Sequence, residues 1–462
     1  MKAPFGRSAL CALILCAPIA AQVKLPPYTR EVLPNGVVVL LMQKTGLPLV
    51  HFRVLVKGGA ESDPASLAGV SSVAAELLRR GSAKHTAIQF AEELDSLGGT
   101  FFAGPDEQAT AINGEFLKKD LDQGIDLLAD AILHPTFPAE EVSKALARRA
   151  DGLKSTKDNP GGAIGSYYRS FFFGSGHPYG RVPDEASYDR MRREDIAAYH
   201  QRMYTGRNMV MIVVGDFDPA AAKAKIAATF GSAAAGTAYA WAEDRPPARN
   251  AKLLLVDKPD ATQTYFIIAQ PGVRHSTPDR TALLLVNQLF GGRFTSMLND
   301  ELRVNTGLTY GAGSSVQMTR LTGGLYISTY TKTETTGKAI DVALDILKRL
   351  QEKGITAEQL ASAKTYMKGN YPPNNVQTID QLAGRLSEME LFGLGRDEVD
   401  QFFQRVDAVT LAQANDAIKR YYRAENLTFV LVGNAAKIRE SVGKYAGQVV
   451  ERSVKQAGWA GV

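Results

Sequence analysis

Apolar residues along the first half of the chain change between strand-like and helix-like spacing. A turn at Leu33-Pro-Asn-Gly36 precedes an apolar run from Val37 to Met42, and a second run covers 50–56; both are typical of buried strands. Apolar positions between Val70 and Leu78 then follow one helix face, so the pattern predicts a helix at 69–79. Further predicted elements are helices at 87–97, 119–133 and 138–156 and strands at 101–103, 109–116 and 209–214.

The second half repeats segments of the first in the same order. QRMYTGRNMVMIVVGD at 201–216 resembles KRYYRAENLTFVLVGN at 419–434, with an offset of 218 residues. FRVLVKGG at 52–59 resembles YFIIAQPG at 265–272, with an offset of 213. Strands are predicted again at 309–317 and 323–331, followed by a helical run to 422. We interpret the chain as a tandem duplication with halves at about 25–230 and 252–450.

This order of elements predicts an α+β fold with two tandem homologous domains, each a sheet covered by helices on one face. The expected N-terminal domain covers 22–230 and the C-terminal domain covers 252–450. Between them, 231–251 is rich in Ala, Gly and Pro and has no periodicity, which is typical of a linker. Residues 451–462 form a predicted tail.

The first 21 residues have the pattern of a secretory signal peptide. A basic start is followed by an apolar run and by Ala20-Ala21, which predicts cleavage after Ala21 and a periplasmic or secreted protein. A lipid anchor at Cys16 is the weaker alternative, because bulky Leu15 precedes that cysteine. No later segment has eighteen uninterrupted apolar residues, so no membrane span is expected.

Composition excludes several kinds of site. Both cysteines, Cys11 and Cys16, lie in the predicted leader, so the mature chain offers no disulfide, thiolate metal site or cysteine nucleophile. Of the 53 Lys and Arg residues, Lys2 and Arg7 lie in the leader, which leaves 51 basic against 48 acidic residues. The basic residues are scattered rather than clustered with aromatic ones, so no nucleic-acid partner is expected.

Several motifs together resemble the pitrilysin/insulinase family of metallopeptidases, the inverzincins. They are LPNGVVVLL and KGGAESD near the start, DNP followed by HPYGR at 177–181, and NQLFGGRFTSMLNDELRVNTGLTYGAGSS at 287–315. The resemblance covers essentially the whole mature chain. It implies the pitrilysin-family fold, also described as LuxS-like, in both halves.

The resemblance also implies a zinc site on the first helix, where the family carries His-x-x-Glu-His with a further glutamate downstream. In this chain those positions fall on Ser72, Ala75 and Glu76, and the downstream position falls near Asp151 or Gly152. One serine and one misplaced carboxylate do not make a zinc site, because zinc needs about three protein ligands of the His or carboxylate type. The motif is therefore degenerate.

Other residues offer no replacement for the missing ligands. No two of the six histidines lie closer than 23 residues, so none forms a local metal pair. Glu76 has an ordinary explanation as the i,i+4 partner of Arg80 on an exposed helix face. We expect no metal or other cofactor in this chain and interpret its first half as a scaffold.

Arg303 and Tyr310 match a second motif of the family. The resemblance implies that, in heterodimeric members, one subunit carries the zinc and the other supplies this Arg/Tyr pair, which binds the substrate carbonyl near the partner's metal. Guanidinium and phenol groups can both donate to a developing oxyanion. Locally, Arg303 is predicted to end a helix and Tyr310 to begin a strand after the Gly307 turn. The helix would be anchored by apolar residues, namely Phe294, Leu298 and Leu302.

We therefore interpret the chain as the non-zinc subunit of a secreted heterodimeric zinc metallopeptidase that degrades or processes peptides. A related zinc-bearing subunit and a peptide are the expected partners. The alternative is a catalytically inactive pseudopeptidase that serves in assembly or peptide binding, in which Arg303 and Tyr310 make only a surface contact. A self-sufficient peptidase is excluded by the missing ligands.

Export is directly testable. Because the leader combines basic, apolar and small residues in the order that signal peptidase requires, protein recovered from the native envelope should begin at Gln22. Intact-mass measurement gives the start point. Recovery of the full chain from the cytoplasm would contradict the prediction.

Overall fold

The computed structural model describes residues 23–460, and the predicted signal peptide lies outside them. Twelve strands are described: β1 Thr29–Val32, β2 Val38–Gln43, β3 Leu49–Lys57, β4 Thr100–Pro105, β5 Ala109–Leu117, β6 Met209–Gly215, β7 Lys252–Asp257, β8 Gln263–Pro271, β9 Ala312–Met318, β10 Thr322–Lys332, β11 Thr428–Gly433 and β12 Gln448–Ser453. None of the described helices has both the length and the hydropathy needed to cross a membrane.

The helices lie mainly between the strands of each half. In the first half they are α1 Val70–Leu77, α2 Ala87–Ser96, α3 Leu121–Leu133, α4 Ala139–Asp158, α5 Pro160–Phe173, α6 Glu185–Arg190, α7 Arg193–Met203 and α8 Pro219–Phe230. In the second half they are α9 Arg280–Asn287, α10 Met297–Asn299, α11 Thr336–Lys353, α12 Ala357–Asn375, α13 Ile379–Phe392, α14 Asp397–Asp400, α15 Phe402–Ala408, α16 Leu411–Tyr421 and α17 Ala435–Val442.

The two halves have the same sheet topology, which confirms the α+β fold of two tandem homologous domains. The first sheet has the order β1-β2-β6-β3-β5-β4 and the second has the order β12-β7-β11-β8-β10-β9. Strands β2 to β6 of the first half therefore occupy the same positions as strands β7 to β11 of the second half. The sheets differ at one edge. The strand there is β1 in the first sheet, which comes before the other strands in sequence, and β12 in the second, which comes after them. These two strands lie outside the repeated segments and were not predicted.

The central strands are apolar on both faces. Every residue of β6 and β11 is buried. Each pairs in parallel with one neighbour and antiparallel with the other, β6 with β2 and β3, and β11 with β7 and β8. Strands of this kind need cover on both sides of the sheet, because apolar side chains point alternately to each face.

Each sheet obtains that cover by an exchange of helices between the halves. One face of each sheet packs against helices of its own half. The other face of the first sheet is covered by α13 from the second half, and the other face of the second sheet by α5 from the first half. The aromatic run of α5, from Tyr167 to Phe173, is thus mostly core. The sequence predicted helices on one face of each sheet. That holds for the helices of the same half, whereas a helix of the other half covers the second face.

The segment 231–251, predicted to be a linker, has no helix or strand and is bound to both halves. The amide of Ala242 donates to Glu61 Oε1 at 2.8 Å in the first half. In the second half, Asp244 accepts from the amide and the hydroxyl of Thr322, both at 2.7 Å. The segment therefore fixes the two halves to each other.

The C-terminal residues are also part of the folded unit. The predicted domain boundary at position 450 falls within β12, which pairs in parallel with β7. Beyond it, Trp459 is buried against α5, and its indole N–H donates to the carbonyl of Pro183 at 2.7 Å. The predicted tail thus returns to the first half.

The helix exchange predicts cooperative unfolding of the two halves. Leu382→Ala removes a fully buried side chain of α13 from the face of the first sheet, which should cost about 2–5 kcal/mol of unfolding free energy. Leu47→Ala, at an exposed position, should change it by less than about 0.5 kcal/mol. Denaturant titration followed by tryptophan fluorescence and by circular dichroism should give one coincident transition. Two separate transitions, of which Leu382→Ala shifts only one, would contradict it.

Candidate functional site

Helix α1, which carries the degenerate zinc motif, is held by its N-terminus and its apolar face. Gly69 precedes it with φ of 91°, a conformation that favours glycine. The carboxylate of Asp63 accepts from the amides of Gly69 at 2.7 Å and Ser71 at 3.0 Å. Burial raises the pKa of Asp63 to about 6, although both amide bonds favour its ionised form. The helix is thus positioned without any metal.

Glu76 contacts helix α4 rather than Arg80, so the predicted i,i+4 pair is wrong. Its Oε1 accepts from Arg148 Nη2 at 2.6 Å, and its Oε2 accepts from Arg149 Nε at 2.9 Å. Arg149 also donates to the carbonyl of Ser72 at 3.1 Å. Burial alone would raise the pKa of Glu76, but the two guanidinium groups outweigh it and hold the pKa below its ordinary value.

This arrangement does not fit a zinc ion. The carboxylate of Glu76 binds two arginines, and the backbone carbonyl of Ser72 binds one of them. Both arginines come from α4, the helix on which the downstream glutamate was expected. The third position, Ala75, is fully buried and has no donor atom. Among residues 23–460 there is no group of three His, Cys, Asp or Glu side chains that would hold a metal. The guanidinium groups of Arg148 and Arg149 already compensate the negative charge of Glu76.

Arg303 lies within a π-helical turn at Asp300–Asn305, so it is inside a helical segment and not at its end. Gly307, with φ of 63°, reverses the chain. The carbonyl of Leu302 accepts from the amides of Leu308 and Thr309 at 2.9 and 3.2 Å. Strand β9 begins at Ala312, so Tyr310 precedes the strand instead of beginning it. The reversal returns the tyrosine to Arg303.

The guanidinium of Arg303 lies between two aromatic rings. Its central carbon is 4.6 Å from the ring centre of Tyr310 and 4.7 Å from that of Phe294. Phe294 is 66% exposed, so it does not anchor the helix as predicted; Leu298 and Leu302 are fully buried and do. Tyr310 is 74% exposed. Within the described part of the chain, no hydrogen bond or ion pair engages the guanidinium of Arg303 or the hydroxyl of Tyr310.

Two neighbouring residues, Asn299 and Gly291, shape this region, and Asn299 was not singled out from sequence. The side chain of Asn299, almost fully buried, donates to the carbonyl of Phe294 at 2.7 Å and accepts from the amide of Ala312 at 3.3 Å. Gly291 packs against β9, where a Cβ atom would lie 2.4 Å from the amide nitrogen of Ser314. Close packing therefore explains this glycine. An isolated Asn such as Asn299 carries no sequence signal for its role.

Arg303 and Tyr310 line an open cleft of about 690 Å³. Most of its wall comes from the second half, and α5 adds Gly161 and Ile164. The lining includes five aromatic residues, two arginines and several glycines, but no carboxylate. None of the degenerate-motif residues of α1 lines it. Chemically, the cleft suits an extended ligand that has apolar groups and hydrogen-bond acceptors.

Comparison with known families agrees with this architecture. Residues 38–159 match the model described as insulinase (peptidase family M16), and residues 190–367 match the model described as peptidase M16 inactive domain. The first match contains α1 and the second contains Arg303 and Tyr310. Together the two matches include parts of both halves of the repeat.

Full-length relatives and solved structures extend the match. An uncharacterized zinc protease of Mycobacterium leprae is 25% identical over 84% of this chain and 87% of its own length. The non-peptidase homolog YmxG of Helicobacter pylori is 21% identical over 88% and 94%. A crystal structure named peptidase M16 inactive domain, from Pseudomonas fluorescens, superposes with a TM-score of 0.82 at 24% identity and covers 88% of this chain and 98% of its own. The chain therefore belongs to the M16, or insulinase, family of peptidases.

Proposed function

We propose that this chain is the non-zinc subunit of a secreted heterodimeric M16 peptidase. In this proposal a related subunit supplies the zinc and the general base, and Arg303 and Tyr310 hydrogen-bond the substrate carbonyl at the composite site. The chain would bind peptide and stabilise charge, with no metal of its own. Peptide degradation or processing would require both subunits.

The unengaged Arg303–Tyr310 pair is the observation that carries the proposal. Arginines in proteins usually meet a carboxylate or a carbonyl, whereas here two exposed rings hold the guanidinium and leave its N–H groups free toward the cleft. Stacking limits the rotation of the side chain, so a ligand would not need to order it. Donors that are already oriented stabilise an oxyanion most effectively.

The surroundings of Glu76 support the absence of zinc from this chain. Two cations stand where a metal's charge would be, and a zinc ion added beside Arg148 and Arg149 would be repelled by them. The ion pairs of Glu76 with Arg148 and Arg149 thus connect α1 to α4 where the zinc ligands are missing.

The second candidate function is a pseudopeptidase that binds peptide or assembles with other proteins without catalysis. The family model named inactive domain and the Helicobacter pylori relative named non-peptidase homolog both favour it. In that case the same cleft would bind a peptide, and the peptide would not be cleaved even in the presence of a partner subunit. Activity measured on this chain, on a zinc-bearing relative and on their mixture distinguishes the two functions.

We expect the purified mature protein to hold no stoichiometric zinc after dialysis against trace metal. Because Arg148 and Arg149 already neutralise Glu76, EDTA should also leave the melting temperature unchanged. Elemental analysis and thermal denaturation provide the two measurements. One tightly held zinc per chain, or a clear fall in melting temperature with chelator, would overturn the assignment of the first half.

Arg303→Ala and Tyr310→Phe should lower turnover by the mixed complex. Loss of one oxyanion donor typically reduces kcat by ~10²–10³, while removal of an exposed cation–π contact costs only about 0.5–1 kcal/mol of stability. Melting temperature and heterodimer formation should therefore change little. If both side chains bind the same oxygen, the double variant should lose less than the sum of the single losses.

Arg349→Ala is the matched control, since this arginine lies outside the cleft and makes a surface i,i+4 pair with Asp345. It should retain normal kcat. Full turnover by both Arg303→Ala and Tyr310→Phe would remove the catalytic proposal and leave the pseudopeptidase.

A further inference from the structure

The cleft beside Arg303 has an aromatic wall that the Arg/Tyr motif does not include. Tyr265 on β8 and Tyr330 on β10 are direct antiparallel partners in the sheet. Their rings are stacked with centres 4.9 Å apart and planes inclined by 19°. Both are half-buried and both line the cleft that contains Arg303 and Tyr310. The two aromatic surfaces thus belong to one cavity.

The position of this wall depends on the exchanged helix α5. A Cβ atom at Gly161, near the start of α5, would lie 2.9 Å from the ring of Tyr265, so this glycine leaves the ring room in its present place. Ile164, one turn further along α5, adds an aliphatic surface to the same cleft. The two tyrosines and Ile164 thus form an apolar part of a cleft that both halves of the repeat line and that also contains Arg303.

A peptide has little opportunity to join the neighbouring edge strand β9 as an extra strand. The amide of Ala312 donates to Asn299 Oδ1, and the carbonyl of Ser314 accepts from Asn287 Nδ2 at 3.2 Å. Side chains therefore already occupy backbone groups on the outer side of this edge. Recognition at the cleft must rely on side-chain pockets more than on strand addition.

We propose that Tyr265 and Tyr330 form a side-chain subsite for an aromatic or large aliphatic residue of a bound peptide. The residue would lie against the stacked rings and Ile164 while a nearby carbonyl of the same peptide accepts from Arg303. Because the cleft lining contains Arg293 and Arg303 but no carboxylate, it accommodates neutral or acidic neighbouring residues better than basic ones. This inference rests on the proposed function, because the peptide that occupies the subsite is the same peptide whose carbonyl binds Arg303.

Equilibrium binding to the mature subunit alone tests the subsite without a zinc partner. The probes are two short fluorescein-labelled peptides of identical sequence, with central Phe in one and central Ala in the other, followed by anisotropy. The wild-type chain should bind the Phe peptide about tenfold more tightly, as expected for partial burial of one aromatic side chain. Tyr265→Ala and Tyr330→Ala should bring the Phe peptide to the affinity of the Ala peptide.

Two controls separate this subsite from a structural role and from the proposed function. Phe102→Ala removes an exposed aromatic residue on β4 of the other sheet, outside the cleft, and should preserve the preference for Phe. Arg303→Ala should weaken both peptides by the same factor. If Arg303→Ala has no effect while the Tyr variants abolish the preference, the subsite stands and the composite-site proposal fails.

The opposite result would overturn the subsite alone: Arg303→Ala weakens both peptides, yet the Tyr variants keep the preference for Phe. Equal binding of the two peptides by the wild-type chain, or no measurable binding of either, would overturn it as well. Melting temperatures of all variants identify any loss that comes from unfolding, and Tyr265→Phe, which keeps the ring, should restore the preference that Tyr265→Ala removes.

Discussion

The structure depends on the reciprocal burial of two sheet faces by helices from the opposite half. The central strands β6 and β11 are buried throughout, so each sheet would expose an apolar face if its half stood alone. Helix α13 of the second half buries the exposed face of the first sheet, and α5 of the first half buries that of the second sheet. Burial of apolar area is the dominant favourable contribution to folding. A duplicated chain organised in this way cannot behave as two independent domains. The segment 231–251 and the residues after β12 strengthen the connection, because each contacts both halves.

The same exchange places first-half residues in the second-half cleft. Helix α5 covers the second sheet with its aromatic residues and presents Gly161 and Ile164 beside Tyr265. The first half therefore contributes to the candidate site through packing, although its own zinc motif is degenerate. A change in α5 would affect both the stability of the second sheet and the shape of the cleft.

The repeat, the fold class and most strands could be predicted from the sequence, because hydrophobic periodicity and recurring segments can be recognised directly in it. Arg303 and Tyr310 were located by their spacing within a long motif. The partners of Glu76 could not be predicted from the sequence. Arg148 and Arg149 are more than seventy residues away, and only the packing of α1 on α4 brings them close to Glu76. Phe294 was misassigned for a related reason: at helical spacing from Leu298 it looks like a core position, but the helical segment begins after it and leaves the ring in solvent. Tyr265 and Tyr330 meet through sheet register, which one sequence does not specify.

The persistence of α1 without its ligands follows from how the helix is held. Its apolar face, including Val70, Val73 and Leu77, belongs to the first core, and Asp63 satisfies its first amides. In a zinc-bearing site, the metal would join α1 to the neighbouring helix and compensate the charge of its acidic ligand. Here the guanidinium groups of Arg148 and Arg149 make that connection and that compensation for Glu76. Helix α1 is therefore held in the fold without histidines at positions 72 and 76, and α13 covers the opposite face of the same sheet.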